Sequence, residues 1–87
     1  MSKVYPSSKF TRSFRKLPRH IQERAAARDL IFRANPFGGR LETHKLHGKQ
    51  SAEWAYSVDR SYRVSFVFLG TDAVLYTNIG THDEVYR

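Results

Sequence analysis

Three runs in the C-terminal third of the chain alternate apolar and polar residues strictly enough to dictate a sheet. They read WAYSV (54–58), YRVSFVFL (62–69) and AVLYTNI (73–79), separated by Asp59-Arg60-Ser61 and Gly70-Thr71-Asp72. Side chains of a strand point to opposite faces in turn, and such polar or glycine-containing breaks suit turns, so the pattern predicts a β-meander. A register follows. With Val58 opposite Tyr62, Tyr56 meets Val64 and Trp54 meets Phe66; with Leu69 opposite Ala73, Phe68 meets Val74 and Phe66 meets Tyr76. A slip of one residue would mix the two faces. One face is thus an aromatic core. The other carries Glu53, Ala55, Ser57, Arg63, Ser65 and Thr77, with Arg63 expected between Ser57 and Ile79, where the chain leaves for Gly80 and His82.

Eighty-seven residues, 40% of them hydrophobic, suffice for one core and not two, so residues 1–87 are expected to form a single domain. The chain has no cysteine, which removes disulfides, thiolate metal ligands and thiol nucleophiles. No signal-like run opens the chain and no stretch of eighteen apolar residues occurs, so the expectation is a cytoplasmic protein without membrane contact. The formal net charge of +7 points to a polyanionic partner, nucleic acid or an acidic protein. Lys9, Arg12, Arg15, Lys16 and Arg19 crowd one short region, while the acids are scattered.

Ahead of the meander, Val4-Tyr5-Pro6 reads as a short strand that proline limits. Ser7 or Ser8 can cap a following helix, in which Phe10, Phe14 and Leu17 form an apolar stripe. Leu17-Pro18 breaks it, and a second helix runs to about Ala34, with Ile21, Ala25, Ala27, Ile31, Phe32 and Ala34 expected on a broad apolar side. Asn35-Pro36-Phe37-Gly38-Gly39 ends that helix. Residues 41–48 fit either a short extended segment or a loop, and 49–52 a polar connector.

The basic helical pair ending in Asn35-Pro36-Phe37, the segment His44-Lys45-Leu46-His47-Gly48, Tyr62-Arg63-Val64 in the second meander run, and Ile79-Gly80-Thr81-His82 followed by Glu84-Val85-Tyr86 together resemble the RelE/ParE superfamily of toxin-antitoxin toxins, over nearly the whole chain. The resemblance implies an α+β fold in which an N-terminal strand and a two-helix hairpin pack on a twisted, mainly antiparallel sheet, in the order β-α-α-β-β-β. It implies a ribosome-dependent endoribonuclease that cuts mRNA without metal or other cofactor and is neutralised by a cognate antitoxin. Two other readings stay open: a ParE-like toxin that binds DNA gyrase, and an inactive relative that only binds its antitoxin.

Cleavage through the ribose 2′-OH needs a base, a cation for the charge that develops on phosphate, and an acid for the leaving 5′-oxygen. Imidazole, with an ordinary pKa near 6.5, suits proton transfer, and guanidinium suits phosphate. By the resemblance, His82 and His44 are the proton-transfer residues, Arg63 is the phosphate clamp, and Tyr86 acts at the nucleophile or stacks on a base. Lys45, Lys49 and Arg60 are the expected RNA contacts. From the residues alone, His82 and His44 also fit exposed surface histidines, Arg63 an ion pair with Glu53 or Asp83, Tyr86 a packing anchor, and the lysines solvated charges. A zinc site of His44, His47 and His82 lacks a cysteine or carboxylate to complete it. YafQ-like members carry a further histidine and an aspartate where this chain has Ser57 and Ser61, or Trp54 and Tyr56, none of which transfers a proton near neutrality.

Overall fold

The computed structural model describes residues 1–48 and 52–86. Lys49 and most of the polar connector therefore lie outside the described residues. The elements are β1 (Lys3–Pro6), α1 (Ser8–Arg15), α2 (Arg19–Ala34), a 3₁₀ turn (Gly39–Leu41), β2 (His44–Lys45), β3 (Glu53–Ser57), β4 (Tyr62–Phe68), β5 (Ala73–Thr81) and α3 (His82–Tyr86). The strands form one sheet in the order β1-β5-β4-β3-β2, antiparallel except for β1, which runs parallel to β5. This is the expected α+β arrangement with two additions. The ambiguous segment at His44 contributes an edge strand, and the chain after Thr81 is a short helix rather than a tail.

The helices begin where local chemistry allows. Ser7 Oγ accepts from the Phe10 amide at 3.0 Å and donates to the Thr77 carbonyl at 3.1 Å, so one hydroxyl both caps α1 and ties it to β5. Phe10, Phe14 and Leu17 then pack against the core. In α2 the buried stripe is narrower than the composition suggests: Ile21, Ala25 and Phe32 are buried, whereas Ala27, Ile31 and Ala34 are exposed. Ile31 and Phe32 are neighbours, about 100° apart on a helix, and one line of contact with a sheet admits only one of them. Phe32 is the one taken in, with its ring centroid 4.8 Å from Tyr56 and 4.9 Å from Phe66.

The core face of the sheet holds Tyr56, Val58, Val64, Phe66, Val74, Tyr76 and Ile79. Trp54 pairs with Phe66, Tyr56 with Val64, Phe66 with Tyr76 and Phe68 with Val74, as the alternation requires. Beyond Phe66 the register shifts: Ser65 pairs with Asn78 and Val64 with Ile79. A β-bulge at Thr77 supplies the extra residue. It is needed because Tyr76 and Ile79 are three apart yet both buried in one cluster, which unbroken alternation forbids. In consequence Arg63 lies opposite Gly80, not Ile79, with Ser57 on its other side as expected.

The reverse face mixes polar residues with the aliphatics Ala55, Val67 and Leu75. Thr77 Oγ1 donates to Glu53 Oε2 at 2.8 Å and lies 2.7 Å from Ser65 Oγ, satisfying the buried serine. At its other end Leu46, Ala55 and Val85 form a second buried cluster against which Tyr86 packs. Among the described residues no helix is long and apolar enough to cross a membrane.

Candidate active site

α3 is only five residues long, too short to hold itself in water, so its start must be fixed from outside. Thr81 and Glu84 fix it. The Thr81 amide donates to Glu84 Oε1 at 2.7 Å and the Glu84 amide donates to Thr81 Oγ1 at 3.4 Å, a reciprocal capping box. The His82 amide donates to the Ser61 carbonyl at 3.1 Å, joining the helix to the β3-β4 turn. Gly80 leaves room for the box: a Cβ there would stand 2.7 Å from Glu84 Oε1 and 3.1 Å from its Cβ. Val85 anchors the far end in the second cluster.

This short helix brings its two aromatic rings together and presents them to β2. The His82 and Tyr86 rings stack at 4.0 Å with 19° between planes. On the other side the Tyr86 hydroxyl is hydrogen-bonded to His44 Nε2, and His44 Nδ1 lies 2.8 Å from the Glu42 carbonyl. A carbonyl only accepts, so Nδ1 carries the proton; in neutral imidazole Nε2 is then the acceptor, and the Tyr86 hydroxyl donates to it. Glu42 adopts the left-handed conformation (φ 50°, ψ 41°), uncommon for a residue with a side chain, and this aims its carbonyl at His44. His44 is thus held in the tautomer that presents a basic nitrogen. Partial burial pushes the Tyr86 phenol up, outweighing the opposite pull of the Arg63 guanidinium, so the phenol is neutral at physiological pH.

Arg63 reaches its own turn. Its Nη1 donates to the carbonyls of Asp59 (2.6 Å), Tyr62 (3.0 Å) and Arg60 (3.3 Å). The alternative of an ion pair with Glu53 or Asp83 does not hold among the described residues: Glu53 receives Thr77, and Asp83 sits 3.6 Å from His82 Nδ1. The turn is pinned by Asp59, whose Oδ1 accepts from the amides of Ser61 (2.9 Å) and Tyr62 (2.8 Å) while Oδ2 meets Arg24 at 3.1 Å. Arg63 and Arg60 line one open groove.

His44, His82 and Tyr86 are therefore in direct contact, and Arg63 acts on Tyr86 through its charge. Lys45 is not with them. Strand alternation turns it away from His44 to the face shared by its partner Trp54. Lys49 lies outside the described residues, and His47 is exposed in the loop after β2. Among the described residues no three of His, Cys, Asp and Glu are placed to hold a metal ion. Ser57 donates to the Asp59 carbonyl at 2.8 Å and Ser61 receives the His82 amide, so both positions serve the turn. Sequence reasoning passed over Glu42, for which no local signal exists, and the capping box, whose Thr-x-x-Glu spacing at 81–84 is visible in the sequence.

No family model matches the sequence. No curated protein matches it either. Solved structures do match in shape. YafQ from E. coli strain BL21(DE3) superposes with a TM-score of 0.80 over 100% of both chains at 11% identity. The YoeB/ParE toxin from Agrobacterium tumefaciens gives 0.77 over 92% of this chain and 98% of that one at 13% identity. A chain of the RelB-RelE antitoxin-toxin complex from Methanococcus jannaschii gives 0.72 over 95% of each chain at 15% identity. The architecture is that of the RelE/ParE toxins.

Proposed function

Taking the RelE/ParE toxin fold as the premise, we propose that this protein is the toxin of a toxin-antitoxin pair and cuts mRNA on the ribosome through the ribose 2′-OH. The observation that carries the reading is the contact of two histidines with one tyrosine, His44 and His82 on either side of Tyr86, beside Arg63. Two imidazoles are what a base and an acid require, and here one of them is held with its basic nitrogen toward a phenol.

In the proposed reaction His44 Nε2 takes the proton of the 2′-OH once substrate displaces the Tyr86 hydroxyl. The 2′-oxygen forms a bond to phosphorus, His82 protonates the 5′-oxygen as its bond to phosphorus breaks, and the products are a 2′,3′-cyclic phosphate and a 5′-hydroxyl end. Arg63 stabilises the charge on the phosphate oxygens, and its guanidinium is held by its own turn. Tyr86, a neutral phenol, serves as hydrogen-bond donor and stacking surface. The partner is a cognate antitoxin whose acidic segment complements a chain of net charge +7.

The test is primer extension on mRNA incubated with ribosomes and purified protein. The expected result is cutting within the A-site codon that falls by about 10²-fold or more in His44→Ala and His82→Ala, the range of general acid-base catalysis. Intact mRNA in all lanes, together with loss of gyrase supercoiling activity, would replace this reading with that of a gyrase-binding toxin.

A further inference from the structure

The groove that Arg63 enters is larger than one phosphate requires. It measures about 590 Å³ and is lined by Arg28 from α2, Arg40 from the 3₁₀ turn, and Arg60 and Arg63 from the β3-β4 turn, with Asp59 and Glu42 on its walls. Four arginines from three separate elements line it. Among the described residues none of the four has an ion-pair partner: the carboxylate of Asp59 is engaged by Arg24 and by two backbone amides, and Glu42 forms no ion pair. Arg28 is also positioned: its Nη1 donates to the Arg40 carbonyl at 2.8 Å, which fixes one guanidinium beside the residue that supplies the next. Four arginines against two acidic residues leave the groove net positive, and a cleft lined mainly by one sign of charge draws in ligands of the other.

The groove adjoins the histidines at two points. Arg63 lies in it and acts on Tyr86, and Glu42, on its wall, supplies the carbonyl that holds His44. A chain of phosphates bound at Arg63 continues naturally into it. We infer that Arg28 and Arg40, with Arg60, bind the phosphates of the RNA strand that flank the one being cut, making this groove the track of a single-stranded polynucleotide. This inference rests on the ribonuclease reading. The occupant is RNA rather than an acidic protein segment because Arg63 of the groove acts on Tyr86 and the Glu42 carbonyl on its wall holds His44, while the stacked Tyr86 and His82 rings are surfaces on which bases stack.

The experiment is fluorescence anisotropy with a labelled twelve-nucleotide oligodeoxynucleotide, which lacks the 2′-OH and so is not cut, titrated at several salt concentrations. Each phosphate contact on a single strand contributes about 0.7 to the slope of log affinity against log salt. Arg40→Gln is expected to flatten the slope by about 0.7 and to weaken binding about fivefold at 0.1 M salt, and Arg28→Gln with Arg40→Gln to flatten it by about twice as much. Arg40 is the more telling single substitution, since its side chain makes no hydrogen bond to the described residues. Arg15→Gln, on the exposed side of α1, is the control and should leave the slope as it was. If Arg15→Gln flattens the slope equally, or Arg40→Gln not at all while wild-type protein still binds and cuts RNA, the groove assignment falls alone. If wild-type protein neither binds the oligonucleotide nor cuts mRNA, the ribonuclease reading falls with it. Retained RNA binding in Arg40→Gln with loss of affinity only for polyglutamate would make the groove a protein docking surface and overturn the proposal.

Discussion

At the scale of single residues, the polar chain that runs from the core to α2 shows how position in a network decides the cost of losing one atom. Tyr56 donates to the Tyr76 hydroxyl at 2.9 Å, Tyr76 donates to Asp29 Oδ1 at 2.7 Å, and Asp29 Oδ2 meets Arg33 at 2.9 Å. Removing the Tyr56 hydroxyl takes one donor from Tyr76, which keeps Asp29. Removing the Tyr76 hydroxyl strands the fully buried Tyr56 hydroxyl and takes a donor from a carboxylate. An unmade buried hydrogen bond costs about 1–3 kcal/mol, whereas a net hydrogen bond is worth about 1 kcal/mol. Urea unfolding should therefore rank Tyr76→Phe below Tyr56→Phe in stability, by about 1 kcal/mol or more. Equal midpoints would mean that Tyr56 finds another acceptor. The same logic explains why Ser65 can be buried on the sheet's polar face, since Thr77 and Glu53 complete its chain.

At the scale of elements, α3 is the part on which the site depends and the part least able to stand alone. Its capping box and Val85 hold it, so loosening either should displace His82 and Tyr86 together. Gly80→Ala puts a methyl group against Glu84, and Thr81→Ala removes the hydroxyl that caps the helix, a loss of about 1 kcal/mol. Both variants should cut RNA about tenfold more slowly or worse, because a misplacement near 1 Å costs more than that, while the thermal midpoint falls by only a few degrees. Full activity in both would detach the cap from the site. This helix also marks the limit of what could be read from the sequence. Alternation predicted the pairing from Trp54 to Phe66 and from Phe66 to Tyr76, because burial on one face makes a slip costly. It could not place the bulge, since Thr77 carries no mark of being the extra residue, and so it set Arg63 against Ile79 rather than Gly80. Five residues are too few for a helical period, and only the Thr-x-x-Glu spacing signalled α3. The hydrogen bond between His44 and Tyr86 joins positions 42 apart, which no local pattern encodes.

At the scale of the whole molecule, the aromatic core makes stability depend on pH. Burial pushes the Tyr56 and Tyr76 phenols well above their ordinary value, Tyr76 further because the Tyr56 hydroxyl and the Asp29 carboxylate lie beside it. A phenol whose folded pKa is raised stabilises the fold fully below its unfolded value near 10, and that contribution is lost as pH climbs toward the folded value. Each unit of pKa shift at a buried phenol is worth about 1.4 kcal/mol. Stability in urea should therefore be nearly level from pH 7 to 9 and fall steeply above about pH 10. Tyrosinate absorbance followed through the same titration identifies the cause: the buried phenols should ionise only as the protein unfolds, in a step coincident with loss of far-ultraviolet ellipticity. Ionisation of every tyrosine while the ellipticity stays native would mean that Tyr56 and Tyr76 reach solvent without unfolding, and that the aromatic layer around Phe32 opens on its own.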